Sequence, residues 1–177
     1  MKTLRKFTLV LALYVALAIS GSLSFYLHQF FSFGKASNLL VPVSMMLIAL
    51  FDDTNNKEIW LALGAGIVSD IYFFGIIGIY AIILPIVSWL LQKSARFLPE
   101  VFWARVLAVL IASVLTQGFT WLILNMTGLS SIGIFKLVQS ILPTLCWVFI
   151  FICATYKLWW NLALNYPFMV NLENYRQ

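Results

Sequence analysis

The most constraining stretch of this sequence is Ile59 to Leu91, 33 residues of almost unbroken apolar character interrupted by one charge, Asp70, and by Gly75 and Gly78. As one helix it would be about 50 Å long, well beyond a bilayer core of ~30 Å. As two helices it needs a tight turn, and Gly75-Ile76-Ile77-Gly78 supplies one. The expectation is therefore a hairpin of two short membrane helices. Composition agrees, since only 10% of the residues are charged and 63% are hydrophobic. That density excludes disorder. It also leaves too few charged side chains to cover a soluble domain of this size. A polytopic membrane protein remains, as one domain over residues 1–177 with no room for a soluble catalytic domain.

The other spans follow from the breaks. Expected crossings are 7–33, 38–51, 59–74, 76–91, 106–126 and 137–156, with both termini cytoplasmic. Ala16-x-Ala18 mimics a signal-peptidase site, but apolarity runs on past it, so the first segment reads as an uncleaved span. The second run, Leu39 to Phe51, carries Pro42 in its first turn and covers only about 20 Å. It must start further back, near Ser37-Asn38, or cross a thinned bilayer. Asp52-Asp53-Thr54-Asn55-Asn56-Lys57-Glu58 reads as a solvated turn, and Gln92 to Arg105 as a basic, aromatic loop on the headgroups.

Charge decides the topology. With six spans, Lys2, Arg5, Lys6, Lys57, Lys93, Arg96, Arg105, Lys157 and Arg176 share one side, and Lys35 and Lys136 the other, nine against two. A single crossing over 59–91 would give five against six, so the positive-inside rule selects the hairpin. Trp60, Trp89, Trp103, Trp159 and Trp160 fall near the cytoplasmic ends, as an interfacial belt. The net charge of +5 then reflects membrane topology rather than nucleic-acid binding.

Few residues carry chemistry. Asp70 is costly at its depth, by about 2.5–3.5 kcal/mol, and should face the bundle interior. Ala62, Gly66 and Asp70 share a helix face small enough for close approach. It reads as a polar tie or ligand-facing acid, or else as an acid near the outer end within reach of water. Ala12, Ala16, Ser20 and Ser24 form a small-residue stripe on the first span, and Ala104, Ala108, Ala112 and Thr116 another on the fifth. Each suits internal packing or a docking face for another membrane subunit. Cys146 and Cys153 read as packing residues, too far apart on a helix for a disulfide and not spaced as a metal site. His28 reads as interfacial. Asn125-x-Thr127 matches a glycosylation pattern at a membrane edge. No nucleophile elbow, zinc-binding His pair, phosphate loop or paired intramembrane carboxylate occurs, so no enzyme and no cofactor is expected.

Gly64-x-Gly66-x-x-x-Asp70 followed by Gly78-x-Tyr80-Ala81 resembles the central motif of the MreD family of bacterial rod-shape-determining membrane proteins. Length, span count and the absence of a soluble domain fit that family along the whole chain. The resemblance implies a non-enzymatic scaffold of the cell-elongation machinery in the bacterial cytoplasmic membrane, helping to organise peptidoglycan synthesis. Its implied partners are a bitopic protein of the MreC type, with MreB, RodA and a penicillin-binding transpeptidase. It makes Gly64, Gly66, Asp70, Gly78 and Tyr80 motif positions with structural or partner-facing roles, and implies a fold similar to the substrate-binding (S) components of energy-coupling-factor vitamin transporters. Such an S component is the alternative reading, loosely supported by Ala12-x-x-x-Ala16. Against it, Asp70, Gln117 and Asn125 are the only polar side chains on hand for a ligand.

Overall fold

The computed structural model describes residues 7–30, 37, 39–52, 55–129 and 133–169, with no side chain placed over 25–30. Lys2, Arg5, Lys6, Lys35, Asp53, Arg176 and the His28 side chain lie outside the described residues. Among the described residues the chain is all helical. Its helices are α1 (Thr8–Phe30), α2 (Leu40–Phe51), α3 (Lys57–Phe73), α4 (Tyr80–Ala95), α5 (Phe102–Met126) and α6 (Ile134–Asn165). Two of them, α5 and α6, are long and apolar enough to cross a membrane; the others are shorter.

The helix α2 organises the bundle. It packs against all five other helices, and every residue from Leu40 to Phe51 is buried. This accounts for the short second run. At 12 residues α2 is about 18 Å long, and protein rather than lipid surrounds it, so its length need not match the bilayer. Its start lies at Leu40 rather than near Ser37. Pro42 sits in the first turn, where the missing N–H has no helical partner to lose. Ser44 returns its hydroxyl to the Leu40 carbonyl at 2.8 Å, which lets a polar residue lie in the core.

Several sequence expectations need correction. The 92–105 segment is helical at both ends: α4 runs to Ala95 and α5 begins at Phe102. Gln92 is buried, its amide bonded to the Asp52 and Asn55 carbonyls, and Arg105 lies against the Phe51 and Trp160 rings. The Asp52–Glu58 turn is only partly solvated: Asp52, Asn55 and Glu58 are buried, while Asn56 and Lys57 are exposed. The last helix ends at Asn165 rather than 156. Its extension carries Trp160 onto Phe51 beside Tyr156, each with ring centroids 5.0 Å away and edge-on. Trp159 is 3% exposed and belongs to the core, not to a belt, whereas Trp60 and Trp103 do face outward. Cys146 and Cys153 are free and exposed on α6 rather than packed.

Both small-residue stripes face inward. Ala16, Ser20, Ala112 and Thr116 are buried within the chain, and Ala12, Ala104 and Ala108 partly so. Packing inside the bundle therefore occupies them. At the end where α5 finishes and α6 starts, a polar knot joins α5 to α6. The Gln117 amide donates to Ser140 at 2.9 Å and to Thr144 at 3.4 Å, and the Ser37 N–H donates to Thr144 at 3.0 Å.

Burial sets the expected mutational pattern. Leu47→Ala, at a 0% exposed site on α2, should cost about 2–5 kcal/mol. Leu142→Ala, at a 71% exposed site on α6, should stay within about 0.5 kcal/mol. Thermal unfolding of the two variants in one detergent checks the contrast.

Candidate functional site at the Asp70 hairpin

The most extensive helix pair is α3 with α4, and Asp70 controls both of the ends that meet at its tip. Its backbone carbonyl accepts the N–H groups of Phe74 and Gly75, both at 2.9 Å, which closes α3. Gly75 follows with φ +69°, the left-handed conformation that ends a helix at little cost when there is no Cβ. Gly78 takes φ +134°, a conformation L side chains rarely adopt. The chain then turns back directly into α4.

The Asp70 carboxylate lies at the start of α4. Oδ2 accepts the N–H groups of Gly78 at 2.8 Å, Ile79 at 3.0 Å and Ala81 at 3.0 Å, and Oδ1 accepts that of Tyr80 at 2.7 Å. The opening N–H groups of a helix have no intrahelical acceptor, and the local dipole there favours negative charge. Asp70 thus acts as an N-cap delivered from the preceding helix. The residue is 0% exposed, which answers the open sequence reading in favour of the internal tie. Edge-on contact of Phe74 with Tyr80, centroids 5.4 Å apart, closes the tip.

Gly66 makes this approach possible. One turn before Asp70 on the same face, a Cβ added there would lie 2.5 Å from the Tyr80 carbonyl oxygen and 2.7 Å from the Ala81 Cα. Backbone rather than a flexible side chain blocks it. Gly64 differs: a Cβ there meets nothing within 4 Å, and the residue is exposed. The motif therefore divides into Gly66, Asp70, Gly78 and Tyr80, which build the joint, and Gly64, which points away from it.

A family model described as rod shape-determining protein MreD matches residues 1–172. The chain belongs to the MreD family. No curated protein matches the chain, and no solved structure does. MreD is a family of membrane proteins with a role in rod-shape determination, and the apolar helices of this chain fit that class.

For this MreD chain the sequence singled out Asp70, which the structure places at the hairpin tip, but other contacts were hidden. A Cβ on Gly21 of α1 would run into the Tyr72 ring of α3, a fit between separate helices that no local spacing signals. The burial of Gln92 and Glu58 likewise depends on which helix ends converge.

Two predictions follow for MreD. Asp70→Asn keeps one acceptor oxygen but turns an amide toward N–H donors, and should cost on the order of 2 kcal/mol, with Asp70→Ala costing roughly twice that. Gly66→Ala should cost about 1–3 kcal/mol, whereas Gly64→Ala should be neutral or stabilising by up to about 1 kcal/mol. Thermal unfolding of the four purified variants checks both.

Proposed function

We propose that this MreD chain is a non-enzymatic scaffold in the bacterial cytoplasmic membrane. It crosses six times with both ends on the cytoplasmic side. Its task is to bind a bitopic protein of the MreC type, and through it to help organise peptidoglycan synthesis alongside MreB, RodA and a penicillin-binding transpeptidase. The observation that carries this reading is the family match across residues 1–172. The use of polar groups supports it. Asp70 and Gln117, two of the three polar side chains on which a transported ligand would have depended, bond instead to backbone amides and hydroxyls of this chain's own helices. Such ties make a rigid body with an apolar exterior, suited to lipid and to other membrane helices. The nine-to-two distribution of Lys and Arg supports the topology.

Two experiments test these statements. Mild-detergent purification of the tagged protein from its native membrane should recover a bitopic coiled-coil protein of the MreC kind. Recovery of ATPase subunits with a coupling membrane subunit would point to a transporter component instead. For the topology, single cysteines are placed at Glu100 and at Leu129, both exposed, in a Cys146→Ser, Cys153→Ser background. An impermeant thiol reagent added to intact cells should label the Leu129 site alone. Labelling of the Glu100 site from outside would reverse or refute the orientation.

A further inference from the structure

At the end of the bundle away from the hairpin tip, the chain buries an acid. Glu58, the second residue of α3, is 0% exposed. Both of its carboxyl oxygens are closed to solvent and lack a well-aligned hydrogen bond among the described residues, the Gln92 amide being the one donor beside them. Its neighbour is Asp52, the buried C-cap of α2, and the two carboxyl groups are in contact. Gln92 of α4 lies beside the pair, but its amide donates to the carbonyls of Asp52 and Asn55, both at 3.3 Å. Of the described cations on the surrounding elements, three are held by other groups. Lys57 bonds the Met169 carbonyl at 3.1 Å, Lys93 sits 4.0 Å over Trp89, and Arg105 lies 4.8 Å from Trp160 and 5.4 Å from Phe51. Arg96 and Lys157 are exposed.

Two ionised carboxylates offer each other only acceptors, so their contact is repulsive unless a proton lies between them. We propose that Glu58 is protonated in the folded protein and donates its O–H to Asp52, and that this shared proton latches the turn between α2 and α3 to the C-terminal segment. The latch has a definite far side. Asn55 donates its side-chain amide to the Phe168 carbonyl at 3.0 Å, and Lys57 holds Met169, so the turn carrying the acid pair also grips residues 168–169. A proton needs no space, whereas a hydrated metal ion would have to open a site whose oxygens no water touches.

Burial raises the Glu58 carboxyl well above its usual 4.5; the charge of Asp52 and the bond to it add to this, and Gln92 opposes it. The folded chain then binds this proton more tightly than the unfolded one. The stabilisation is complete below about 4.5 and is lost as pH rises through the folded value.

Infrared spectroscopy of the purified protein reads the proton directly. Wild type at neutral pH should show the carbonyl stretch of a protonated carboxyl, and Glu58→Gln should lose it. The thermal midpoint of wild type should fall from acidic to mildly alkaline pH, and the C-terminal segment should become cleavable by protease. Glu58→Gln, a neutral isostere, should show neither change. Absence of the band in wild type, or its persistence in Glu58→Gln, overturns the proposal. So does stabilisation by calcium or magnesium that Glu58→Gln abolishes, which would make this a metal site. Should Glu58→Gln fail to fold, the pH titration of the wild-type band decides alone: it must be present at neutral pH and disappear on alkalinisation.

Discussion

A helix that starts away from water begins with N–H groups that have no carbonyl to bond, and the opening turn of α4 has this problem at the hairpin tip. Asp70 resolves it with one side chain, accepting four of these donors while its own carbonyl ends the preceding helix. Much else in the hairpin is arranged around that carboxylate. Gly66 lets the two backbones come close enough for it to reach, and the positive φ values of Gly75 and Gly78 bring the chain round within a few residues. An acid whose insertion would cost about 2.5–3.5 kcal/mol on its own becomes the joint that holds two helices together.

The rest of the bundle repeats the principle of polar groups turned inward at helix ends. Gln117 ties α5 to α6, Gln92 ties α4 to the turn after α2, and Arg105 rests between Phe51 and Trp160. Between these ends lies α2, a short apolar rod sheathed by its neighbours. For a membrane protein this division is physically sensible. Interhelical hydrogen bonds and close packing fix the shape where no hydrophobic force separates protein from lipid, and the outer surface stays apolar.

Much of the hairpin was legible in the sequence because its determinants are local. A 33-residue apolar run, two glycines and one acid define two helices and their turn, and the four-residue spacing of Ala62, Gly66 and Asp70 marks the contact face. Legibility failed where neighbours distant in sequence decide. Asp52 and Glu58 look solvated because their loop is polar, yet the arrival of α4 and residues 168–169 buries them. The 13-residue run at Leu39–Phe51 looked too short to span, because a single sequence does not show that a helix will be surrounded by protein. Cys146 and Cys153 looked like packing residues, since apolar character alone does not say which face of α6 meets lipid.

The account rests on the Asp70 carboxylate holding the start of α4. The most direct measurement is hydrogen exchange, resolved to single amides, at Gly78, Ile79, Tyr80 and Ala81 in wild type and in Asp70→Ala reconstituted in bilayers. The amides at the start of a helix ordinarily exchange quickly where water reaches them, because they lack intrahelical partners. The account predicts that all four are protected in wild type and that all four lose protection together in the variant. Fast exchange in wild type, or protection that survives the loss of the carboxylate, would contradict it.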